Sequence, residues 1–398
     1  MKITRLRIRQ VTGTIESSQP FWENRQVRPV DIYPEYAAEP YLEGGVQVDE
    51  THFRLTQHYL YIETDEGIEG IAGPVWSDVS RLILSQLSPR LIGQDPIATE
   101  LLWDQLHRLQ IHGRQGDAML ALSAVDCALW DLKARWFGVP MWRLLGGKTR
   151  SKVPAYASML GLEVEDLGLV RERALWYRDQ GFTAQKWFLR HGPMAGFEGM
   201  KKNVELVQTL RETLGDGYGI AIDCWQSLSY DYAVEFCSRI EDFGLAWLEE
   251  PFMPDRIDTH VKLKKKTRIP LAGAEHEYTR WGMRRFTDVN ALDILQPDMY
   301  WCGGVSECLK IAALATAHDL TIVPHGHCTP VGIHFTAAQS PFHTPMIEYL
   351  VKWNEINMHF LQTPPWPQNG SIPVPEGVGI GMDLNEDLIE SERDLSLH

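Results

Sequence analysis

The chain has 398 residues, of which 44% are hydrophobic, so it is long enough to form more than one buried core. Its 38 basic and 53 acidic side chains give a formal net charge of −15, which argues against nucleic-acid binding and against binding to an anionic membrane surface. No stretch approaches the roughly 18 consecutive apolar residues of a membrane-spanning helix.

The N-terminus and the cysteines both indicate a cytoplasmic protein. The decapeptide Met1–Gln10 alternates polar and apolar residues like an amphipathic strand, and it lacks the continuous apolar core of a secretory signal. Six cysteines lie in or beside apolar runs and follow no regular spacing, which favours reduced, buried thiols. They stand at positions 127, 224, 237, 302, 308 and 328.

The first third of the chain predicts a small α+β unit. Residues 1–13 and 55–64 alternate as β-strands do, and a turn leads from the second into residues 68–71. Residues 16–51 lie between the strands, show no period and contain five aromatic rings. Because a long loop without a period is either disordered or functional, and aromatic residues are rare in disorder, we expect a lid. Helical periodicity follows at Val79–Ile92, Ile97–Leu109 and Ala118–Phe137.

The remainder of the chain alternates short apolar runs with helical segments such as Arg171–Gln180 and Met200–Leu214, which is typical of an eight-stranded βα barrel. No helix is predicted between the eighth strand and Pro364. The eight predicted strands are Val153–Met159, Ala184–Leu189, Gly219–Cys224, Leu245–Glu250, Ile269–Glu275, Asp293–Asp298, Thr321–Gly326 and Pro345–Leu350.

Five of these strands have an ionisable residue at or next to their C-terminal end, in the order Asp223, Glu249, Glu275, Asp298 and His325. The intervals are 26, 26, 23 and 27 residues, about the length of one βα repeat. The carboxyl ends of parallel barrel strands meet on one face, so we expect these side chains to converge there. Carboxylates beside a histidine predict a metal site next to an acid/base group.

Two further motifs carry a family resemblance. The helix segment Ala124–Lys133 and the following Gly138–Gly147, taken together with the acidic series and Pro375–Gly381, resemble the enolase superfamily in its mandelate racemase and muconate lactonising branch. The resemblance implies an α/β fold in which a (β/α)7β TIM-like barrel carries an α+β capping domain, completed by the C-terminal segment. It implies a cap at residues 1–140 with lid loop 16–51, a barrel at 141–359, and a returning segment at 360–398.

The same resemblance assigns roles to the strand ends. Asp223, Glu249 and Glu275 match the family's metal ligands, and their hard oxygen atoms suit one Mg²⁺ per site. Glu250 is the weaker candidate, because strand alternation turns it to the other face. His325 matches the family's general base, and Asp298 matches the carboxylate that orients it.

The second strand determines which reaction is expected. Lys186 matches the first lysine of the family's Lys-x-Lys motif, but Phe188 stands where the second base would be. A racemase needs groups on both faces of its substrate, whereas a dehydratase manages with one. The resemblance therefore implies an acid-sugar dehydratase, a hydro-lyase that removes the C2 proton through an ene-diolate and eliminates the 3-hydroxyl to give a 2-keto-3-deoxy acid. Glu348 would hold the substrate carboxylate together with Lys186.

Within the family, several short sequence segments resemble those of the rhamnonate dehydratases, among them Asp223–Trp225, Glu275-His276 and Gln296–Gly304. Trp225, His276 and Arg54 are candidate substrate-binding residues on this basis. The sequence does not name the sugar acid, because the lid falls outside the resemblance. We expect a homo-oligomer with a small-molecule substrate and with no nucleic-acid or membrane partner.

Three alternatives stay open at this point. A racemase, epimerase or cycloisomerase could use the same scaffold. A non-catalytic binding protein could retain the barrel, although it would have no need of the five strand-end residues. A zinc site is the third alternative, although its spacing matches no usual zinc pattern. Its ligands would be His325, His327, Cys328 and Cys302.

Overall fold

A computed structural model describes residues 1–17, 21–39, 45–327 and 329–396. Two sheets and the helices around them make up this structure. The first part contains strands β1 (Ile3–Glu16), β2 (Val46–Gln47), β3 (His52–Thr64) and β4 (Glu69–Ala72), and helices α1 (Pro34–Ala37), α2 (Ser77–Leu82), α3 (Ser88–Leu91), α4 (Thr99–Leu109), α5 (Asp117–Phe137) and α6 (Met141–Leu144).

The second part contains strands β5 (Lys152–Ser158), β6 (Ala184–Phe188), β7 (Gly219–Asp223), β8 (Trp247–Glu249), β9 (Leu271–Gly273), β10 (Ile294–Leu295), β11 (Thr321–Ile322), β12 (Ile347–Leu350), β13 (Ser371–Pro373) and β14 (Ser391–Asp394). Its helices are α7 (Leu167–Asp179), α8 (Gly196–Leu214), α9 (Tyr230–Ile240), α10 (Ile257–Lys264), α11 (Thr279–Thr287), α12 (Gly304–Ala317), α13 (Thr329–Ala338) and α14 (Val351–Asn357).

The N-terminal sheet is antiparallel, with the strand order β14-β1-β3-β2 and with β4 on the other edge of β3. Leu6 and Ile8 of β1, which lie two residues apart and so share one face, both enter the core. Strand β14 pairs with Arg9–Thr12 of β1, so the C-terminal segment completes this sheet. This part of the predicted fold is confirmed.

Helix α5 is buried along most of its length and joins the two parts. Its Asp131 accepts hydrogen bonds from the backbone nitrogens of Ile71 and Ile380, and its Asp126 accepts one from Ser306. A side chain at Gly70 would lie 2.2 Å from the backbone oxygen of Ala128, so only glycine allows β4 to approach the helix this closely.

The predicted helix at 79–92 is interrupted in the structure. Helix α2 ends at Leu82, residues Ile83–Leu87 form a π-helical turn, and α3 begins at Ser88. Pro89 lacks the N–H that would continue an α-helical ladder, which explains why the regular hydrogen bonding stops near it.

All eight predicted barrel strands are present, and they form one curled parallel sheet in the order β11-β10-β9-β8-β7-β6-β5-β12. The predicted (β/α)7β class is confirmed. The strands are shorter than predicted, because the chain leaves the sheet before several of the ionisable residues. The absence of a helix after the eighth strand was a wrong prediction, since α14 follows β12 directly.

Residues 21–39 of the predicted lid lie against the barrel ends. The Val27 nitrogen donates to Leu189 O at 2.7 Å, and Trp22 packs on Trp353 with ring centroids 5.6 Å apart. Gly161 has a φ of +87°, and a Cβ there would lie 2.0 Å from the Trp22 ring. The remaining parts of the predicted 16–51 loop at 18–20 and 40–44 lie outside the described residues.

Five of the six cysteines are described, and all five are free and buried, as predicted. Cys328 lies outside the described residues. Within the described ranges, no helix has both the length and the apolar composition needed to cross a bilayer.

Candidate active site

The ends of β7, β8 and β9 share an unusual backbone. Trp225, Gln226, Glu250 and Ala274 all have positive φ values, from 39° to 76°. Non-glycine residues adopt this region rarely and at a cost of about 1–3 kcal/mol each, and such residues concentrate at functional sites. The turns redirect the chain immediately after the acidic residues.

Lys186 of β6 is fully buried, and it lies among carboxylates. Its Nζ is 3.0 Å from Asp223 Oδ2 and 2.8 Å from Glu348 Oε1, and it also contacts Glu249 Oε1. A buried cation is stable only when it is paired, and here three carboxylates from three strands pair with one ammonium group.

Glu249 is held from its other side by two further donors. Trp247 Nε1 donates to Glu249 Oε2 at 2.8 Å, and Gln296 Nε2 donates at 2.6 Å. Burial, together with the negative charges of Asp223 and Glu348, raises the pKa of Glu249 to about 8 despite Lys186. The same causes act at Asp223, where burial and the nearby Glu275 and Glu250 raise the pKa to about 6.

The expectation that Glu250 points away from the other acids is wrong. Strand β8 ends at Glu249, and the positive φ of Glu250 turns its side chain back towards His276, whose Nδ1 lies 3.0 Å from Glu250 Oε2. Glu250, Glu275 and His276 each offer an atom within 4.8 Å of the other two. Glu250 is therefore part of the acidic cluster.

His325 and Asp298 form the predicted dyad. His325 Nδ1 lies 2.8 Å from Asp298 Oδ2, and its Nε2 is 3.7 Å from both Glu275 Oε1 and Glu348 Oε2. Burial alone would lower the pKa of His325, but Glu275, Glu348 and the hydrogen bond to Asp298 raise it to about 10. Asp298 thus fixes the orientation of the His325 ring, and the Nε2 atom of that ring faces the carboxylates of Glu275 and Glu348.

A cavity of about 380 Å³ opens onto this cluster. Six predicted site residues border it, namely Lys186, Asp223, Trp225, Glu275, His276 and His325. Arg54 is not among the residues that border it. It is exposed on β3 between the buried Phe53 and Leu55, so strand alternation turns it away from the core.

Other residues on the cavity wall were not predicted. Trp301 packs against His325 with ring centroids 4.7 Å apart, and Trp76 lies 6.0 Å from Trp301. They come from segments that are far apart in the chain, and no local sequence pattern indicates that they meet. Phe188 and His327, which the sequence analysis singled out, also border the cavity; the unpredicted wall residues are Gln26, Arg28, Glu39, Trp76, Leu160, Trp301, Leu350 and Trp353.

The donor set fits a hard divalent cation. Buried carboxylates outnumber the neighbouring groups that carry positive charge, which are Lys186, His276 and His325. Glu275 Oε2 is buried and has no hydrogen-bond partner among the described residues, so an oxygen ligand is available. All-oxygen donors of this kind suit Mg²⁺. The buried carboxylates are Asp223, Glu249, Glu250, Glu275, Asp298 and Glu348.

The residues of the zinc alternative are only partly described. Burial lowers the pKa of His327 to about 4, so this ring stays neutral. Burial raises the pKa of the Cys302 thiol well above its usual value, with further increases from Cys308 and Asp298, so this sulfur stays protonated. Cys328 lies outside the described residues. Zinc would itself deprotonate a coordinating thiol, so the case against this alternative remains its spacing, which matches no usual zinc pattern.

Comparisons with known proteins agree with this geometry. Residues 50–146 match the mandelate racemase/muconate lactonizing enzyme N-terminal domain, and residues 169–388 match the enolase C-terminal domain-like family. The chain belongs to this branch of the enolase superfamily. The predicted family is therefore confirmed.

Individual relatives have similar length. An L-rhamnonate dehydratase of Saccharopolyspora erythraea is 30% identical over 98% of each chain. The crystal structure of L-rhamnonate dehydratase from Gibberella zeae has a TM-score of 0.81 and 29% identity, and covers 97% of this chain and 94% of its own. The crystal structure of the 3,6-anhydro-D-galactonate cycloisomerase from Zobellia galactanivorans has a TM-score of 0.77 and 26% identity, and the match covers 98% of this chain and 100% of that one.

Proposed function

We propose that this member of the enolase superfamily is a Mg²⁺-dependent hydro-lyase that dehydrates a sugar acid. The observation that carries the proposal is His325, whose Nδ1 is bound to Asp298 while its Nε2 faces the carboxylate cluster at the cavity. Membership of the family and relatives named L-rhamnonate dehydratase support the reaction class. A crystal structure of the rhamnonate dehydratase from Gibberella zeae complexed with Mg supports the metal.

Asp223, Glu249 and Glu275 are the residues proposed to hold the metal. Glu250 is a further oxygen donor, grouped with Glu275 and His276 within 4.8 Å. When bound, Mg²⁺ would act as a Lewis acid that stabilises negative charge on the substrate carboxylate as the C2 proton leaves. Lys186 is proposed to bind that carboxylate, and Glu348, whose Oε1 lies 2.8 Å from Lys186 Nζ, is proposed to hold the ammonium group in place.

In this proposal, the chain's own dyad moves the protons. His325 Nε2 removes the C2 proton while Asp298 holds the ring by Nδ1. The resulting imidazolium then returns the proton to the departing 3-hydroxyl on the same face, so one residue serves as base and as acid. To accept a proton, His325 must be uncharged. A cation held by Glu275 would offset the negative charge of that residue and would so lower the pKa of His325 from about 10 towards 7.

Phe188 supports elimination over racemisation. Its ring lies 5.4 Å from Lys186 Nζ on the cavity wall, and it cannot exchange a proton with the substrate. Phe188 also forms an apolar cluster with Leu160 and Leu350. Such a surface suits a terminal methyl group, as in a 6-deoxy acid such as L-rhamnonate, better than it suits a hydroxymethyl group.

The described lid residues support a role in specificity. Gln26, Arg28 and Glu39 all border the cavity, so polar groups of the lid reach the space where the substrate would lie. We propose that they bind the distal hydroxyl groups of the sugar acid. A cycloisomerase is the second candidate, because a relative of that activity covers nearly the whole chain at 26% identity.

The test is a panel of sugar acids, L-rhamnonate first, assayed with Mg²⁺ for 2-keto acid formation in wild type and in His325→Asn. We expect the variant to lose both turnover and the exchange of the C2 proton with deuterium from D₂O. His318→Asn, on the exposed end of α12, is the control and should behave as wild type.

Three results would contradict the proposal. Continued C2 exchange in His325→Asn would require a second base. Epimerisation at C2 by the wild type would favour a racemase. A cyclic product without a 2-keto acid would favour the cycloisomerase.

A further inference from the structure

A second cavity, of about 460 Å³, lies beside the catalytic cavity and shares one bordering residue with it, Arg28. Its walls come from lid residues 27–38 and from the loop 190–195 that follows β6, together with Ser227. The dyad and the carboxylate cluster make no use of this space. The side chains around it determine which ligand it would bind.

Arg190 is the unusual residue of this cavity. It is half-buried, and in the described part of the chain its guanidinium has no hydrogen bond and no carboxylate within ion-pair distance. Every other buried or half-buried arginine among the described residues does have such a partner. Examples are Arg211, which donates to the carbonyl oxygen of Phe243, and Arg150, which donates to that of Thr336.

The acids near Arg190 are already paired with other cations. Asp31 accepts hydrogen bonds from Arg25 at 2.6 Å and from Arg28 at 3.2 Å. Glu165, the other nearby acid, pairs with His191 and with Lys202. Burial and the like charge of Arg25 lower the pKa of Arg190, yet a guanidinium remains charged in proteins. Among the described residues, the cavity therefore contains one positive charge without a counterion.

The rest of the cavity surface is mainly apolar. Val27, Pro193 and Met194 contribute hydrocarbon groups on both sides of the opening. Helix α8 begins next to it at Gly196 and has no side-chain cap, so its positive N-terminal end adds to the field of Arg190. This combination suits a ligand with one anionic group and a short apolar body.

We propose that this cavity binds a small organic carboxylate, with the carboxylate on the Arg190 guanidinium and the hydrocarbon part on Val27 and Pro193. A guanidinium pairs with a carboxylate through two parallel hydrogen bonds, which fixes the orientation of the ligand. The ligand would also connect the lid to the loop after β6, where Val27 already donates to Leu189 O and accepts from Ser227 Oγ. Because Arg28 borders both cavities, a carboxylate bound in the second cavity restrains one wall of the catalytic cavity.

The test is a ligand-observed NMR titration of the full chain with Mg²⁺, using butyrate as the probe and 1-butanol as its uncharged counterpart. We expect butyrate to bind and butanol not to bind. Arg190→Gln should weaken butyrate binding about tenfold or more, because it removes a charge-assisted contact. Arg190→Lys should retain part of the affinity, since it keeps the charge and loses the paired geometry.

Arg178→Gln is the matched control, because Arg178 is exposed and contacts only its neighbour Asp179 among the described side chains. Unchanged butyrate binding in Arg190→Gln, or butanol binding as strong as butyrate binding, would overturn the proposal. Binding of inorganic phosphate in place of butyrate would also overturn it, because phosphate makes no use of the apolar surface. Sugar-acid turnover by Arg190→Gln should match wild type, which keeps this test separate from that of the dehydratase.

Discussion

Replacement of Lys186 by methionine tests the electrostatic balance of the site. The ammonium group contacts Asp223, Glu249 and Glu348, and all four residues are buried. Methionine keeps most of the volume and loses the charge. Removing one partner of a buried ion pair leaves the others uncompensated and costs about 3–5 kcal/mol.

The loss of stability should depend on pH in a defined direction. In wild type the pKa of Glu249 is already raised to about 8, first by burial and then by Asp223 and Glu348. Without Lys186 this pKa rises further, so the folded variant keeps a proton that the unfolded chain releases near its ordinary value of 4.5. The folding stability of the variant therefore falls relative to wild type as the pH rises above about 8, so the loss is larger at pH 9 than at pH 6, by up to about 1.4 kcal/mol for that one pH unit.

Equilibrium unfolding in urea, followed by tryptophan fluorescence in the presence of EDTA, measures this loss at both pH values. Lys202→Met is the control, because Lys202 is on the surface beside Glu165 and its removal should leave the midpoint unchanged. A loss below about 1 kcal/mol at pH 9, or an equal loss at pH 6 and pH 9, would refute the reasoning.

Three further predictions concern the metal, the lid and the helix α5. The variants Asp223→Asn, Glu249→Gln and Glu275→Gln each replace one carboxylate by its amide. Each should abolish Mg²⁺-dependent turnover while the circular-dichroism spectrum stays unchanged, and undiminished turnover in one variant would exclude that residue from the metal site. Arg28→Ala should raise the KM for the sugar acid more than it lowers kcat, and the opposite pattern in steady-state assays would exclude a binding role. Burial raises the pKa of Asp126 to about 7. Wild-type stability should therefore fall by up to about 1.4 kcal/mol per pH unit between pH 4 and 7, and Asp126→Asn, which imitates the protonated acid, should remove this slope in urea titrations.

Local sequence patterns were sufficient to locate the strands and the ionisable residues at or shortly after their ends. Strand β7 ends at Asp223, one residue before its predicted end, and the His325–Asp298 hydrogen bond joins two residues placed one repeat apart. Period and spacing are properties of a single βα unit, and each unit repeats the same geometry. This is why the barrel could be inferred from the order of residues, whereas the roles of the dyad came from the family resemblance.

Features that depend on distant segments could not be inferred in this way. Glu250 was assigned to the wrong face because alternation was extended one residue beyond the end of β8, and the positive φ that turns it inward leaves no sequence signal in a glutamate. Trp76 and Trp301 meet only through the packing of the two parts of the chain. The domain boundaries at 140 and 359 and the roles of the site residues stay predictions.

The pairing of β14 with β1 has a consequence for how the protein is made. Arg5 and Asp394, which are 389 positions apart, are held at 2.8 Å. A ribosome must therefore translate every barrel strand before the edge of β1 is covered, and until then that edge offers unpaired backbone groups to other chains. A tag or truncation that disturbs residues 391–394 should show itself first as aggregation of newly synthesised protein, with catalysis intact in the molecules that fold.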